Sequence, residues 1–272
     1  MHKIKQISSV QNSLVKKIIL LKEKSRERRK TGLFVLEGYR ELRLALKGKF
    51  YIENLLFQPD LISEDTILKL LDEYESRPEI IAVTKEVYQK LAYRQTTEGL
   101  IAVAQSKSNL LDELKLSSES PLILVAEAPE KPGNIGAILR TADAANLDAV
   151  IITNPKTDLY NPNIIRSSVG CVFTNTIATG STSEVIGFLQ RHHITIFCAA
   201  LSASKNYLEC DFKKATAIIV GTESTGLSKE WLENSYQNII IPMQGEIDSM
   251  NVSVSAGILI FEAKRQRDFV RR

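Results

Sequence analysis

"DSMNVSVSAGILIFEAKRQR", residues 248–267, joins two patterns that seldom stand side by side. Its first half sets Ser249, Asn251, Ser253 and Ser255 among valines and small residues. Its second half reads as an apolar helix running into a basic end. Val252, Ala256, Leu259 and Ala263 form an i, i+4, i+7, i+11 stripe, and Val254, Ile258 and Phe261 form another. A helix apolar on two sides is buried on two sides. Its free N-terminal N–H groups and positive dipole end favour anionic guests. Taken alone, the short polar groups read as caps for that helix.

Working outward, apolar runs at 121–125, 149–153, 194–200, 217–220 and 238–241 read as parallel strands buried on both faces. They alternate with helical segments, the pattern of an α/β domain over 121–272. Residues 106–120, "SKSNLLDELKLSSES", are polar and Ser-rich and read as a linker. Before it, strands at 33–36, 51–57, 79–84 and 98–105 alternate with helices at 64–74 and 85–93. A smaller α/β domain is therefore expected over 1–105, led by a basic helix at about 9–30.

The 272 residues suffice for two such domains, and no apolar run is long enough for a membrane span. Three cysteines without paired spacing, and no signal-peptide pattern, predict a reduced cytoplasmic protein with neither a disulfide framework nor a metal site. The net charge of +3 conceals an asymmetry. Residues 1–30 carry ten Lys/Arg against two Glu, and 263–272 five against one Asp, leaving the body near −9. Basic ends on an acidic body suit a polyanion such as nucleic acid, although a solvated helix face would also mix charges in this way.

Ligands of an open parallel sheet bind beyond the carboxyl ends of its strands, so the loops there are the place to look. After 121–125 comes "AEAPEKPGNIGAILRTADAANLDAV", in which Asn134 reads as a helix cap and Arg140 lies inside the helix. Arg140 is either a surface arginine with its stem on apolar neighbours or a functional one. After 217–220 comes "GTESTGLSKEWL", where Gly221 and Gly226 free the backbone for a tight turn or close ligand approach. It is neither phosphate-binding glycine pattern, which argues against a dehydrogenase or kinase. After 238–241 comes the stretch that leads into the opening helix.

Together, "NIGAILRTA", "IIVGTESTGLS" and "IIIPMQGEIDSMNVSVSAGILIFEAKRQR" resemble the three signature motifs of SpoU-type (TrmH-type) RNA 2′-O-ribose methyltransferases. "LFVLEGYRELRLAL" and "TTEGLIAVAQ" are similar to the RNA-substrate-binding domain that often precedes them. The resemblance implies a trefoil-knotted parallel-sheet domain, a homodimer through that domain, and S-adenosylmethionine as cofactor. It places Gly221, Ile241 and Met250 at the cofactor, with Leu201 and Gly226 as further lining candidates. It casts Arg140 as catalytic, with Asn134, Ser249 and Asn251 holding the ribose, the phosphate or that arginine, and Glu223 fixing its own loop. The expected reaction is methylation of a ribose 2′-hydroxyl, most simply in 23S ribosomal RNA. The alternatives are the same chemistry on transfer RNA, and a catalytically silent RNA-binding protein with this fold.

Overall fold

The computed structural model describes residues 4–93, 98–201, 204–222 and 224–267. The chain forms two compact units, residues 1–107 with 158–174, and residues 108–157 with 175–272.

The first unit begins with β1 (Lys5–Ile7), a strand the apolar pattern does not announce. Next come α1 (Ser13–Glu23), capped by the Asn12 side chain on Leu14 N–H, and α2 (Ser25–Thr31). The single basic helix expected over 9–30 is thus two helices, broken at Lys24 in extended backbone. The break lets α2 turn so that Arg28 sits 5% exposed. There its guanidinium donates to Leu21 O at 2.6 Å and, bidentately, to Asp158 at 2.9 and 2.7 Å. The unit continues through β2 (Leu33–Glu37), α3 (Tyr39–Lys47), β3 (Ile52–Phe57), α4 (Glu64–Glu73), β4 (Glu79–Val83), α5 (Lys85–Leu91) and β5 (Leu100–Gln105). Its sheet has the order β1-β4-β3-β5-β2. β1–β4 and β3–β4 are parallel, whereas β3–β5 and β2–β5 are antiparallel.

In the second unit, β6 (Leu122–Glu127), α6 (Pro132–Ala145) and β7 (Ala149–Thr153) come first. The chain then contributes α7 (Pro162–Ser167) to the first unit before returning as β8 (Ile177–Gly180). After α8 (Thr182–Arg191) come β9 (Thr195–Ala199), β10 (Lys205–Asn206), β11 (Thr216–Val220), α9 (Lys229–Glu233), β12 (Gln237–Ile240) and α10 (Val252–Gln266). The sheet order is β10-β12-β9-β11-β6-β7-β8, and every pairing is parallel. All residues of β7 and β11 are buried, as continuous apolar strands inside a two-sided sheet should be.

Two boundaries differ from the expectation. Residues 108–120 belong to the second unit rather than to a free linker: Leu111 is 7% exposed and packs with Ile123, Ile151 and Val185. Residues 158–174 join the first unit because their aromatic rings complete its core. Tyr160 stacks on Phe34 at 4.5 Å between centroids, and Phe173 meets Phe50 edge-on at 5.1 Å.

α10 packs on α6 and reaches β11 and β6. Ala256, Leu259, Ile260 and Ala263 are buried in that contact face, so one of the two apolar stripes is partnered within the chain. The small side chains allow close approach, and a Cβ on Gly257 would stand 3.9 Å from Thr141 Cγ2. On the other face, Val254 is 51% and Phe261 44% exposed.

Candidate functional site

Beyond the carboxyl ends of β9, β11 and β12 lies a cleft of about 770 Å³. Ala199–Leu201, Val220–Thr222, Ile239–Ile241 and Ser249–Val252 contribute to its wall. The strand order explains the position. The chain runs from β6 outward through β7 and β8, then crosses to β9 on the far side of β11, and such a reversal opens a crevice at the strand ends.

The loop after β11 forms one side. A Cβ on Gly221 would stand 2.3 Å from the Gly226 carbonyl carbon, so the backbone there has room for glycine alone. Gly226 adopts φ +67°, the left-handed region that glycine enters without steric cost. Thr222 and Gly226 exchange both backbone hydrogen bonds at 3.1 Å, which closes the loop into a tight ring. Burial pushes the Cys198 thiol, on β9, up to about 12, so it stays protonated and has no nucleophilic role.

Asn251 is the N-cap of α10. Its Oδ1 accepts the Ser253 N–H at 3.0 Å and the Ser253 hydroxyl at 2.6 Å. Its Nδ2 donates to Asn134 Oδ1 at 3.1 Å. One end of the amide thus caps α10 while the other reaches Asn134. Asn134 is not the cap expected of it. Lys131 occupies the N-cap position and Pro132 opens α6, which leaves Asn134 inside the first turn, facing α10. Proline at the first helical position is the sequence signal that would have placed it correctly.

The structure brings Leu201, Gly221, Gly226, Ile241, Ser249, Met250 and Asn251 to one cleft. Asn134 lines a small adjoining cavity that shares Lys131, Gly221, Thr222 and Val252 with it. Arg140 is exposed and stands outside both walls. Six residues along α6 carry it about 9 Å from Asn134 and about 120° around the helix. Glu223 lies outside the described residues. Sequence reading missed Lys131 and Asp248, the charged side chains among the described residues of the cleft wall.

The wall's chemistry limits the guest. Backbone and apolar side chains dominate it, with hydroxyls from Thr222, Ser224, Thr225, Ser249 and Ser255 and one charge of each sign. Such a surface suits a guest that combines apolar area with hydroxyls and both signs of charge. The volume falls within the roughly 300–1,000 Å³ of small-molecule and cofactor sites.

Comparison with known proteins gives the same picture. Residues 121–261 match the SpoU rRNA Methylase family, and residues 12–102 match the MRM3-like substrate binding domain. The chain is 28% identical over 261 residues to the 23S rRNA (guanosine(2553)-2'-O)-methyltransferase RlmP of Bacillus subtilis, covering 96% of this chain and 100% of that protein. It is 33% identical over 193 residues to the 23S rRNA (guanosine-2'-O-)-methyltransferase RlmB of Haemophilus influenzae, covering 68% of this chain and 78% of that one. Among solved structures, an RNA 2'-O ribose methyltransferase aligns with a TM-score of 0.82 at 37% identity, covering 96% of this chain and 99% of that one. The SpoU methyltransferase AviRb from Streptomyces viridochromogenes, in complex with AdoMet, aligns with a TM-score of 0.86 at 26% identity, covering 96% of this chain and 100% of that one. A cleft at the strand ends of a parallel sheet, two of the three motifs in its wall and a family match over residues 121–261 agree on one conclusion: the chain belongs to the SpoU rRNA methylase family.

Proposed function

We propose that this protein methylates a ribose 2′-hydroxyl in RNA, using S-adenosylmethionine, and that its substrate is 23S ribosomal RNA. The observation that carries the reading is the cleft itself: a largely neutral, backbone-rich pocket whose edge is the Asn134–Asn251 pair at the start of α10. The relatives named above, RlmP and RlmB, are by name 23S rRNA 2'-O-methyltransferases, which supports the substrate.

S-adenosylmethionine, when bound, supplies an electrophilic methyl carbon on a positively charged sulfur. Residues of the three loops, Leu201, Gly221, Gly226, Ile241 and Met250, would hold it, largely through main chain. Asp248 offers a carboxylate and Lys131 an ammonium for hydroxyl and charged groups of the guests. Asn134, Ser249 and Asn251 present amide and hydroxyl groups that orient the target ribose. The exposed Arg140 guanidinium, outside the cleft wall, would bind the RNA phosphate next to the target ribose. A guanidinium holds its proton too strongly to act as the base. The hydroxyl proton leaves to water or to a phosphate oxygen. Positioning the hydroxyl in line supplies much of the rate.

The N-terminal unit serves as the RNA-binding domain, supported by its match and by exposed Lys16, Lys24, Arg26, Arg29 and Lys30 on α1, the turn after it and α2. The exposed stripe of Val254 and Phe261 supports a homodimer through α10. The return of α10 onto α6 and β6 is compatible with the trefoil knot that the family resemblance implies. No helix among the described residues is long and apolar enough to cross a membrane. Three cysteines outside any disulfide fit the proposed reduced, cytoplasmic setting.

Labelled S-adenosylmethionine incubated with total RNA tests the reading. Label in one 23S nucleotide, lost about 10²-fold in Arg140→Ala with cofactor affinity retained, is the expected result. Label in transfer RNA would overturn the substrate. Absence of label on any RNA would overturn the activity.

A further inference from the structure

Two consecutive residues of β6 hold the two ends of the loop that walls the cleft. Ala126 pairs with Val220, the last residue of β11. Glu127, the next residue, accepts the Ser228 backbone N–H on Oε2 at 2.8 Å. Between these anchors the loop is closed on itself by the Thr222–Gly226 backbone pair, and the Thr222 and Thr225 hydroxyls lie 2.8 Å apart. Loosening either anchor would therefore release the ring as a whole rather than deform it.

The Glu127 anchor is built into the interior. The residue is 7% exposed, and its Oε1 accepts the Thr182 hydroxyl at 3.1 Å. Thr182 Oγ1 in turn accepts from Asn154 Nδ2 at 2.9 Å. A buried carboxylate is tolerated only when its lone pairs are satisfied, and here donors from α8 and from the loop fix its position. Ser228 is the N-cap of α9, and the N3 residue, Trp231, carries no side-chain acceptor that could reach back to that N–H in place of Glu127.

We infer that Glu127 is a positioning residue for the cofactor cleft: from beneath, and without lining it, its carboxylate holds Gly221, Thr222 and Ser224–Leu227 in the shape that binds. The inference rests on the S-adenosylmethionine reading for the identity of the guest, but not for the holding of the loop.

The test uses the full chain with Glu127→Ala and the isosteric Glu127→Gln. Amide hydrogen exchange in cofactor-free protein should rise about tenfold at residues 224–228 in Glu127→Ala, and about threefold in Glu127→Gln, while α10 is unchanged. KM for S-adenosylmethionine should rise about tenfold in Glu127→Ala, with kcat at saturating cofactor within about twofold of wild type. Should Glu127→Ala not fold, Glu127→Gln carries the test. Wild-type exchange at 224–228 in the folded variants would overturn the inference, as would an equal rise throughout the sheet. If wild-type protein binds no S-adenosylmethionine while the loop still loosens in the variants, the cofactor reading fails and the anchoring role stands.

Discussion

Asn251 Nδ2 donates to Asn134 Oδ1 at 3.1 Å, tying together the first turns of two helices that lie 117 residues apart in the chain. The same Asn251 side chain caps α10 through its other atom. Substitution can separate these two tasks. Asn251→Asp keeps an acceptor for Ser253 but replaces the donor that faces Asn134. It should keep thermal stability near wild type and lower methyl transfer about tenfold or more. Asn251→Ala should lose both, with about 1 kcal/mol of stability gone as the cap disappears. Thermal unfolding alongside a methyl-transfer assay separates the two. Equal activity in Asn251→Asp and wild type would confine Asn251 to capping.

The Arg28–Asp158 pair offers a test of the first unit. Both side chains are largely buried, at 5% and 14% exposure. Removing one partner strands a buried charge, so Arg28→Ala should destabilise this unit by about 3 kcal/mol. Replacing both partners with apolar residues of similar volume should cost much less. Denaturant unfolding of the single and double variants reads the difference.

Glu262 gives a pH dependence with a defined sign. The hydrogen bonds from Arg265 hold its carboxyl below the ordinary 4.5, even though its own burial opposes the shift. A group depressed on folding stabilises the protein fully above its unfolded pKa, and that contribution fades as pH falls through its folded pKa. Glu262→Gln should therefore lower stability by about 1 kcal/mol at pH 7 and have progressively less effect below about pH 4.5. Unfolding of both proteins across pH 3–7 measures it, and a difference independent of pH would reject the charge-based account.

Val254, 51% exposed on the face of α10 turned away from α6, tests the dimer. In the proposed homodimer through α10, a glutamate there would carry a charge into the self-complementary interface. Val254→Glu should weaken self-association about tenfold or more while leaving the monomer fold intact. Light scattering across a dilution series is the measurement, and a wild-type protein that is monomeric throughout would remove the dimer.

Much was legible from residue order alone. The alternation of apolar runs with helical stripes depends on neighbours two to four positions away, so the α/β class and strands such as 149–153 and 217–220 could be read locally. Gly221 could be singled out as a glycine in the loop after an apolar strand, and the structure supplies the reason, since a Cβ there would meet Gly226. Tertiary structure decided the rest. No local pattern carries the order β10-β12-β9-β11-β6-β7-β8, yet that order is what gathers three distant loops at one cleft. Asn134 read as a cap, since its partner stands on a helix that only the returning chain brings near. Residues 158–174 read as part of the second domain, because their place is set by Tyr160 and Phe173 filling a core whose other rings, Phe34 and Phe50, lie more than a hundred positions earlier. Periodicity reports which face of an element is apolar, whereas the identity of what covers that face is a long-range property of the folded chain.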